Sequence, residues 1–470
     1  ALTGHGPCQE LVDLYFAHCS LLYRLGDIAA LAEKATELLF VAEKLGSPQA
    51  EARASLVASR YSISVGELAI SREHAAHALV IGERAQELAI CCRSHSVLAF
   101  VSMGLGDHKS TRCHAEAGLT LAQRLGAPHL ELLVRPRLAR AHFMAGAWDE
   151  SWRESLKAIS LAHRMGHPSE LAYSLAERAL VLAFQGDLCE AEACIAEART
   201  ALYSLRQVDR QVLSAVEFVE ATTAIEMGQS ERALGIAKRF DCSSTLADGR
   251  PSVIPAAMPA GLMLLAEAQV AAGDPQSALK TARKLSGLST NSTPYVAALF
   301  ARAEGLAMRA LGQEAAAMDC LARAQEAFTL LEIPFEAARS ALDRGTSAGI
   351  AHPQVAIDAV RLSLITFERL GARRYADRAR ELFQRLGCSP PATRQTRPGG
   401  VRLSGRELEV SRLIAEGLTT AEIADRLTLS RRTVSTHLDH IYTRLGISSR
   451  AVLARYVVET GVLFCEGGNT

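Results

Sequence analysis

Apolar residues recur every three or four positions along most of the chain, and glycines break that rhythm at a fixed interval. Gly26, Gly66, Gly106, Gly146 and Gly186 stand 40 residues apart, and Gly228, Gly273 and Gly312 continue at 42, 45 and 39. The apolar spacing predicts amphipathic helices. A glycine supplies the left-handed turn that ends one helix, and the acid or amide that follows it (Asp27, Glu67, Asp107, Asp187) suits the start of the next. A second mark falls half a period later, in Lys44-Leu-Gly46, Arg124-Leu-Gly126 and Arg164-Met-Gly166. Each unit is therefore two helices, and repetition at this period predicts an all-α solenoid. Ala172, Ala176, Ala179 and Ala183 fill one helix face with small side chains that let neighbours approach closely. The pattern loosens at residues 241–260, which read as a longer loop. The segment from His352 to Gly387 is more charged, as a terminal repeat facing solvent should be.

The pattern changes after Gly387. Residues 388–402 are rich in proline, glycine and arginine, lack apolar period and read as a linker. From Leu403 onward four short helices are predicted. Ser404 with Glu407, and Thr419 with Glu422, have the spacing of capping boxes, and Ser430 suits a third N-cap. Val434, Leu438, Ile441 and Leu445 form an inward stripe on the third helix, and Ser448 or Ser449 caps a fourth. Two short helices separated by Thr428-Leu429-Ser430 make a helix-turn-helix, whose second helix enters the major groove N-terminus first. Its outward positions are Arg431, Arg432, Ser435, Thr436, Asp439 and His440. Arginines at a helix N-terminus suit phosphate, and Ser, Thr and His can bond either phosphate or base edges.

The stretch Leu403–Leu463 resembles the C-terminal DNA-binding domain of LuxR/NarL-type regulators. Matching positions run in order through Arg406-Glu407-Leu408-Glu409-Val410, Gly417, Ile423-Ala424, Leu427, Ser430, Thr433-Val434, His437, Ile441, Leu445-Gly446 and Arg450. It departs from the family pattern at Ser435, where Lys or Arg is usual, and at Asp439, an acid on the face that meets DNA. The resemblance implies Arg431, Arg432 and Thr433 on phosphates and Ser435, Thr436 and Asp439 at base edges. His440 lies at the margin, with Thr419, Arg444 and Arg450 as further DNA contacts or domain-internal pairs. It also implies a homodimer on DNA, through Leu453, Tyr456 and Val457. The glycine-punctuated region resembles a tetratricopeptide-like superhelix with longer arms. Its period is nearer the helical-repeat region of MalT-type large regulators, which place an ATPase module before the repeats. No stretch of this chain fits that module's phosphate loop.

Three units follow: helical repeats at 1–387, the linker at 388–402 and the helix-turn-helix domain at 403–470. Composition adds limits. Net charge is zero over 470 residues, so the whole chain is no electrostatic glue for nucleic acid. Residues 388–470 carry eleven arginines, no lysine and eight acids, a local net charge of +3. The eleven cysteines contain no C-x-x-C, which favours small buried residues in a reducing cytoplasm over a disulfide framework. No signal peptide or membrane span is visible. Residue 1 is Ala, which marks a processed or truncated chain.

Other candidates are weaker. Gly104-Leu-Gly-Asp-His-Lys-Ser110 lacks the spacing of a phosphate loop and coincides with a repeat turn. His74 and His77 read as a solvated helix face, and Cys189 and Cys194 as core or near-core. Trp148 and Trp152, one helical turn apart, either line a partner or ligand surface or pack between repeats. No catalytic constellation and no cofactor is expected. The leading expectation is a regulator that binds promoter DNA, with an effector or protein partner on the repeats. The alternative is a peptide-binding scaffold with a weak DNA-binding tail, and a third reading is the tail of an NTPase.

Overall fold

A computed structural model describes residues 7–241, 258–287, 293–390, 405–427 and 429–445, together with 449, 450, 453, 454 and 457. Among these residues the chain forms twenty-two α-helices and no strand. In order they are α1 (Gln9–Leu25), α2 (Ile28–Leu45), α3 (Pro48–Ser64), α4 (Leu68–Arg84), α5 (Leu88–Gly104), α6 (His108–Arg124), α7 (Pro128–Met144) and α8 (Trp148–Met165). They continue with α9 (Pro168–Gln185), α10 (Leu188–Tyr203), α11 (Arg210–Glu226), α12 (Ser230–Ala237), α13 (Met258–Ala271), α14 (Pro275–Gly287) and α15 (Pro294–Ala310). The last repeats are α16 (Glu314–Leu330), α17 (Pro334–Ala348), α18 (Pro353–Leu370) and α19 (Arg373–Arg385); α20 (Gly405–Ala415), α21 (Thr420–Arg426) and α22 (Arg431–Leu445) follow. Most of the long loop expected at 241–260, most of the linker, and Ser404, Thr428, Gly446 and Ser448 lie outside the described residues.

The metre is one helix per 20 residues, two to each 40-residue glycine period, as the sequence pattern predicts. Gly26, Gly46, Gly66, Gly106, Gly126, Gly146, Gly166 and Gly186 all take positive φ, and the missing beat at 86 is kept by Gln86, with φ 57°. A left-handed turn at each beat lets a helix reverse into the next, and some of the acids after the glycines cap it, though Glu67 and Asp187 stand at N-cap positions without a side-chain cap bond. Asp27 accepts from the Ala30 N–H (3.2 Å), Asp107 from Ser110 (2.9 Å) and Asp274 from Ser277 (3.0 Å). The Gly104–Ser110 stretch is thus a repeat turn. Gln86 carries a Cβ in a conformation that disfavours one. Replacing it with glycine should raise stability by about 1 kcal/mol. A lowered thermal midpoint would mean that the Gln86 Nε2 bond to the Glu83 carbonyl (3.1 Å) outweighs the strain.

Consecutive helices pack antiparallel, with Ala172, Ala176, Ala179 and Ala183 all buried at the close contacts. The superhelix also touches itself. Helix α1 packs against α11, and α9 against α19. Arg24 reaches Glu170 at 2.5 Å and Asp209 at 3.6 Å; Lys109 meets Glu332 at 2.6 Å; Arg373 pairs with Asp187. At Gly106 the contact is so tight that a Cβ would sit 2.5 Å from the Tyr295 ring.

One aromatic cluster joins the two turns. Phe184 lies 4.6 Å from Phe335, and Phe335 lies 5.0 Å from Trp148 and 5.3 Å from Tyr375. Trp148 is buried, stacks on Phe143 and donates its indole N–H to the Phe143 carbonyl (3.1 Å); Trp152 is half-buried beneath the Arg178 guanidinium. Both sit on an outer helix and neither lines the central cavity, so of the two readings of these tryptophans it is packing between repeats that the structure contains. Next to the cluster lies a buried ionic network. Arg302 contacts Glu267 (2.7 Å) and Asp343 (3.0 Å), Arg339 contacts Glu267 (2.8 Å) and Glu336 (3.2 Å), and Arg309 contacts Asp343 (2.9 Å). Burial works against ionisation of Asp343, yet Arg309 and Arg302 hold its carboxyl below the ordinary carboxylate range.

Of the two cysteines expected in or near the core, Cys194 is buried but Cys189 is exposed. His77 is exposed and faces Ser55 and Glu51. Among the described residues no cluster of side chains could hold a metal ion, and no helix is long and apolar enough to cross a membrane.

Candidate nucleic-acid interface and central cavity

Helices α20 to α22 fold around their own core. Val410, Leu413 and Ile414 of α20 meet Ile423 of α21 and Val434, Leu438 and Ile441 of α22. The caps that set the three-helix geometry are in place. Thr419 and Glu422 form a reciprocal capping box, and the Thr433 N–H donates to Ser430 Oγ (3.0 Å) at the head of α22. Gly417, with φ 89°, ends the turn after α20. Two arginines tie the turns down. Arg406 donates to the Leu427 carbonyl, fixing the turn that leads to α22, and pairs with Glu409 at 2.7 Å. Arg450 donates to the Leu418 carbonyl and, at 3.4 Å, to Thr420.

This anchoring places Arg450 in a domain-internal role, one of the two anticipated for it. Leu453 and Val457 are wholly buried in the domain core against the inward stripe of α22. A dimer contact through them would have to open that core, so the face expected to pair is not formed by these two side chains. Residue 456 and the side chain of residue 444 lie outside the described positions.

The outward face of α22 carries Arg431, Arg432, Thr433, Ser435, Thr436, Asp439 and His440, all exposed, while Val434 and Leu438 turn inward. Hydrogen bonding refines what each can offer. Thr436 donates its hydroxyl proton back to the Arg432 carbonyl (3.0 Å), so it presents a methyl group and an acceptor outward. Thr433 Oγ1 is engaged with Ser430 Oγ (2.7 Å), and Thr419 Oγ1 with Glu422. Arg431, Arg432, Ser435 and His440 form the face's remaining polar edge. An exposed helix headed by two guanidiniums and capped by Ser430 can enter the DNA major groove.

The repeats hold a second feature that the sequence did not reveal: a central cavity of 610 Å³. Its walls come from the inner helix of each pair, α1 through α17 at the odd positions, and it passes between the two superhelical turns. Its size is that of a small-molecule site. The arginines on its wall are far apart in the chain, so nothing in a local window marks them.

The geometry of α20–α22 is thus that of a helix-turn-helix DNA-binding domain appended to an all-α helical repeat. Residues 401–457 match the family model described as bacterial regulatory proteins, luxR family, and this segment is a LuxR-family domain. Similar proteins include the helix-turn-helix transcriptional regulator Mb0914c of Mycobacterium bovis, 46% identical over 59 residues, or 13% of this chain and 7% of that one. The transcriptional activator protein ExaE of Pseudomonas putida is 34% identical over 131 residues, 27% of this chain and 56% of its own. The oxygen regulatory protein NreC of Staphylococcus aureus is 44% identical over 61 residues, 13% of this chain and 28% of its own. The chain therefore spans less than two thirds of each of these relatives.

Proposed function

We propose that this chain is a DNA-binding transcriptional regulator. Helix α22 lies in the major groove of promoter DNA, and the helical repeats hold an effector in their central cavity. The observation that carries the reading is the outward face of α22, with its two N-terminal arginines, on a domain of the LuxR family. In this reading Arg431, Arg432 and Thr433 meet phosphates, and Ser435, Thr436 and Asp439 read base edges, with His440 at the margin. Thr436 suits a thymine methyl, since its hydroxyl proton is spent within the helix. Thr419, at the head of α21, and Arg444 approach the backbone, while Arg450 acts by holding the turn before α21. The repeats set whether the domain is available, and two chains bind a site together.

Fluorescence anisotropy on a pool of promoter fragments, at two salt concentrations, tests this. Residues 388–470 are compared with the whole chain. The short piece should bind, with affinity falling steeply as salt rises. If neither form binds any fragment above the level of a salt-insensitive background, the reading fails.

A further inference from the structure

One end of the central cavity carries a charge that the protein does not balance. Arg60 on α3, Arg93 on α5 and Arg137 on α7 come from three successive inner helices and line the same cavity. Among the described residues none of them has a carboxylate within ion-pair distance; Glu170 and Asp209, the acids at this end, are both engaged by Arg24. Four guanidiniums thus face two carboxylates. Arg60 is only 8% exposed, and its one hydrogen bond is to a neutral partner, Ser20 Oγ, at 2.6 Å. Burial, with Arg93 next, pushes the Arg60 guanidinium down to about 10. Burial also lowers Arg93, and burial together with Arg93 lowers His129 beside it. The ionic network at Glu267, Glu336 and Arg339, on the same cavity wall, shows the contrast: there each buried guanidinium has acids in contact.

The arginine end is also built to present donors. The Arg137 guanidinium lies over the rings of Phe100 (6.0 Å) and Tyr173 (5.9 Å) and donates from Nη1 to the Leu133 carbonyl, while its buried Nε has no acceptor among the described residues. Gln211 Nε2, on the same wall, is likewise buried without an acceptor. Beyond these groups the wall turns apolar through Val97, Phe100, Met103, Phe143, Phe218 and Met263. An arginine stays protonated in a protein, and a buried unbalanced charge is costly unless a counter-ion arrives.

We infer that the cavity binds an organic acid with an apolar body, its carboxylate held by Arg60, Arg93 and Arg137 and its body lying along the aromatic and methionine wall. This deepens the effector-binding part of the proposed function and rests on it. Ligand entry satisfies the two orphan donors and neutralises the excess charge, so it also stabilises the inner helices α1 to α7.

The test uses the full chain and two related fluorophores, anionic 1-anilinonaphthalene-8-sulfonate and neutral N-phenyl-1-naphthylamine, with decanoate and decanol as competitors. Decanoate should displace the anionic probe at least about tenfold more effectively than decanol. Arg93→Gln should weaken decanoate by about tenfold while the neutral probe keeps its affinity within about twofold, which shows that the cavity is still folded. Arg60→Met should raise the thermal midpoint of the ligand-free chain and abolish the upward shift that decanoate gives. If decanol competes as well as decanoate, or Arg93→Gln leaves decanoate unchanged, the charge assignment is wrong although the cavity still takes ligands. If neither fluorophore enters, the cavity is no ligand site, and the effector part of the proposed function falls with it.

Discussion

Glu267→Ala should destabilise the helical repeats by about 3–5 kcal/mol, the cost of removing one partner from a buried ion pair. Glu267 is the acid shared by Arg302 and Arg339, at 2.7 and 2.8 Å. Its loss leaves Arg302 with Asp343 and the more distant Glu336, and leaves Arg339 with Glu336 alone. Arg302 is 2% exposed and Arg339, on the cavity wall, 9%, so neither guanidinium is well solvated once its acid is gone. Arg339 also stacks over Phe184, Phe335 and Tyr375, so the loosened cation disturbs the cluster that joins the two turns. Trp148 lies 5.0 Å from Phe335 and reports the event directly. Urea unfolding followed by tryptophan fluorescence should show the drop. A change below about 1 kcal/mol would mean the network contributes no more than a surface pair.

The second large effect falls on DNA. A chain carrying both Arg431→Ala and Arg432→Ala should lose affinity for every sequence alike, and the slope of log affinity against log salt should flatten by about two. Both side chains are exposed at the head of α22, so their removal leaves the domain core of Val434, Leu438 and Ile441 untouched. Thr436→Ala is the contrasting variant: it leaves the salt slope alone and shifts site preference. Anisotropy titrations at four salt concentrations separate the two. An unchanged slope in the double variant would place α22 with another face to the DNA.

How much of this was legible in the sequence depends on the range over which each feature is encoded. The glycine turns, the aspartate caps at Asp27, Asp107 and Asp274, and the Thr419–Glu422 capping box are local signals, legible in a short window of sequence. The outward face of α22 was legible for the same reason, since a stripe of period 3.6 fixes which residues cannot be inside. Among the described residues only two of the left-handed turns carry no mark in the sequence, because Gln86 and Glu332 occupy those positions without being glycine. Trp148 is ambiguous in the sequence because its partner Phe335 is supplied by a helix one superhelical turn away, and Trp152 because the Arg178 that covers it lies on the next helix. An apolar stripe does not say which neighbour covers it, so Leu453 and Val457 read equally as a pairing surface or as the core they form in the structure. No local pattern marks the cavity arginines. Arg60, Arg93 and Arg137 become a group only when the coil closes.

The contacts between turns change how such a chain should come apart. A solenoid whose units touch only their neighbours unravels stepwise from either end, each unit adding its own increment. Here Arg24 answers to Glu170, Lys109 to Glu332 and Arg373 to Asp187, so a unit near the start is held by one far along the sequence. The coil behaves like a spring with its loops soldered together. Deleting one pair of helices would not merely shorten it but would slide each solder point past its mate, and the number of units is thereby tied to the pitch.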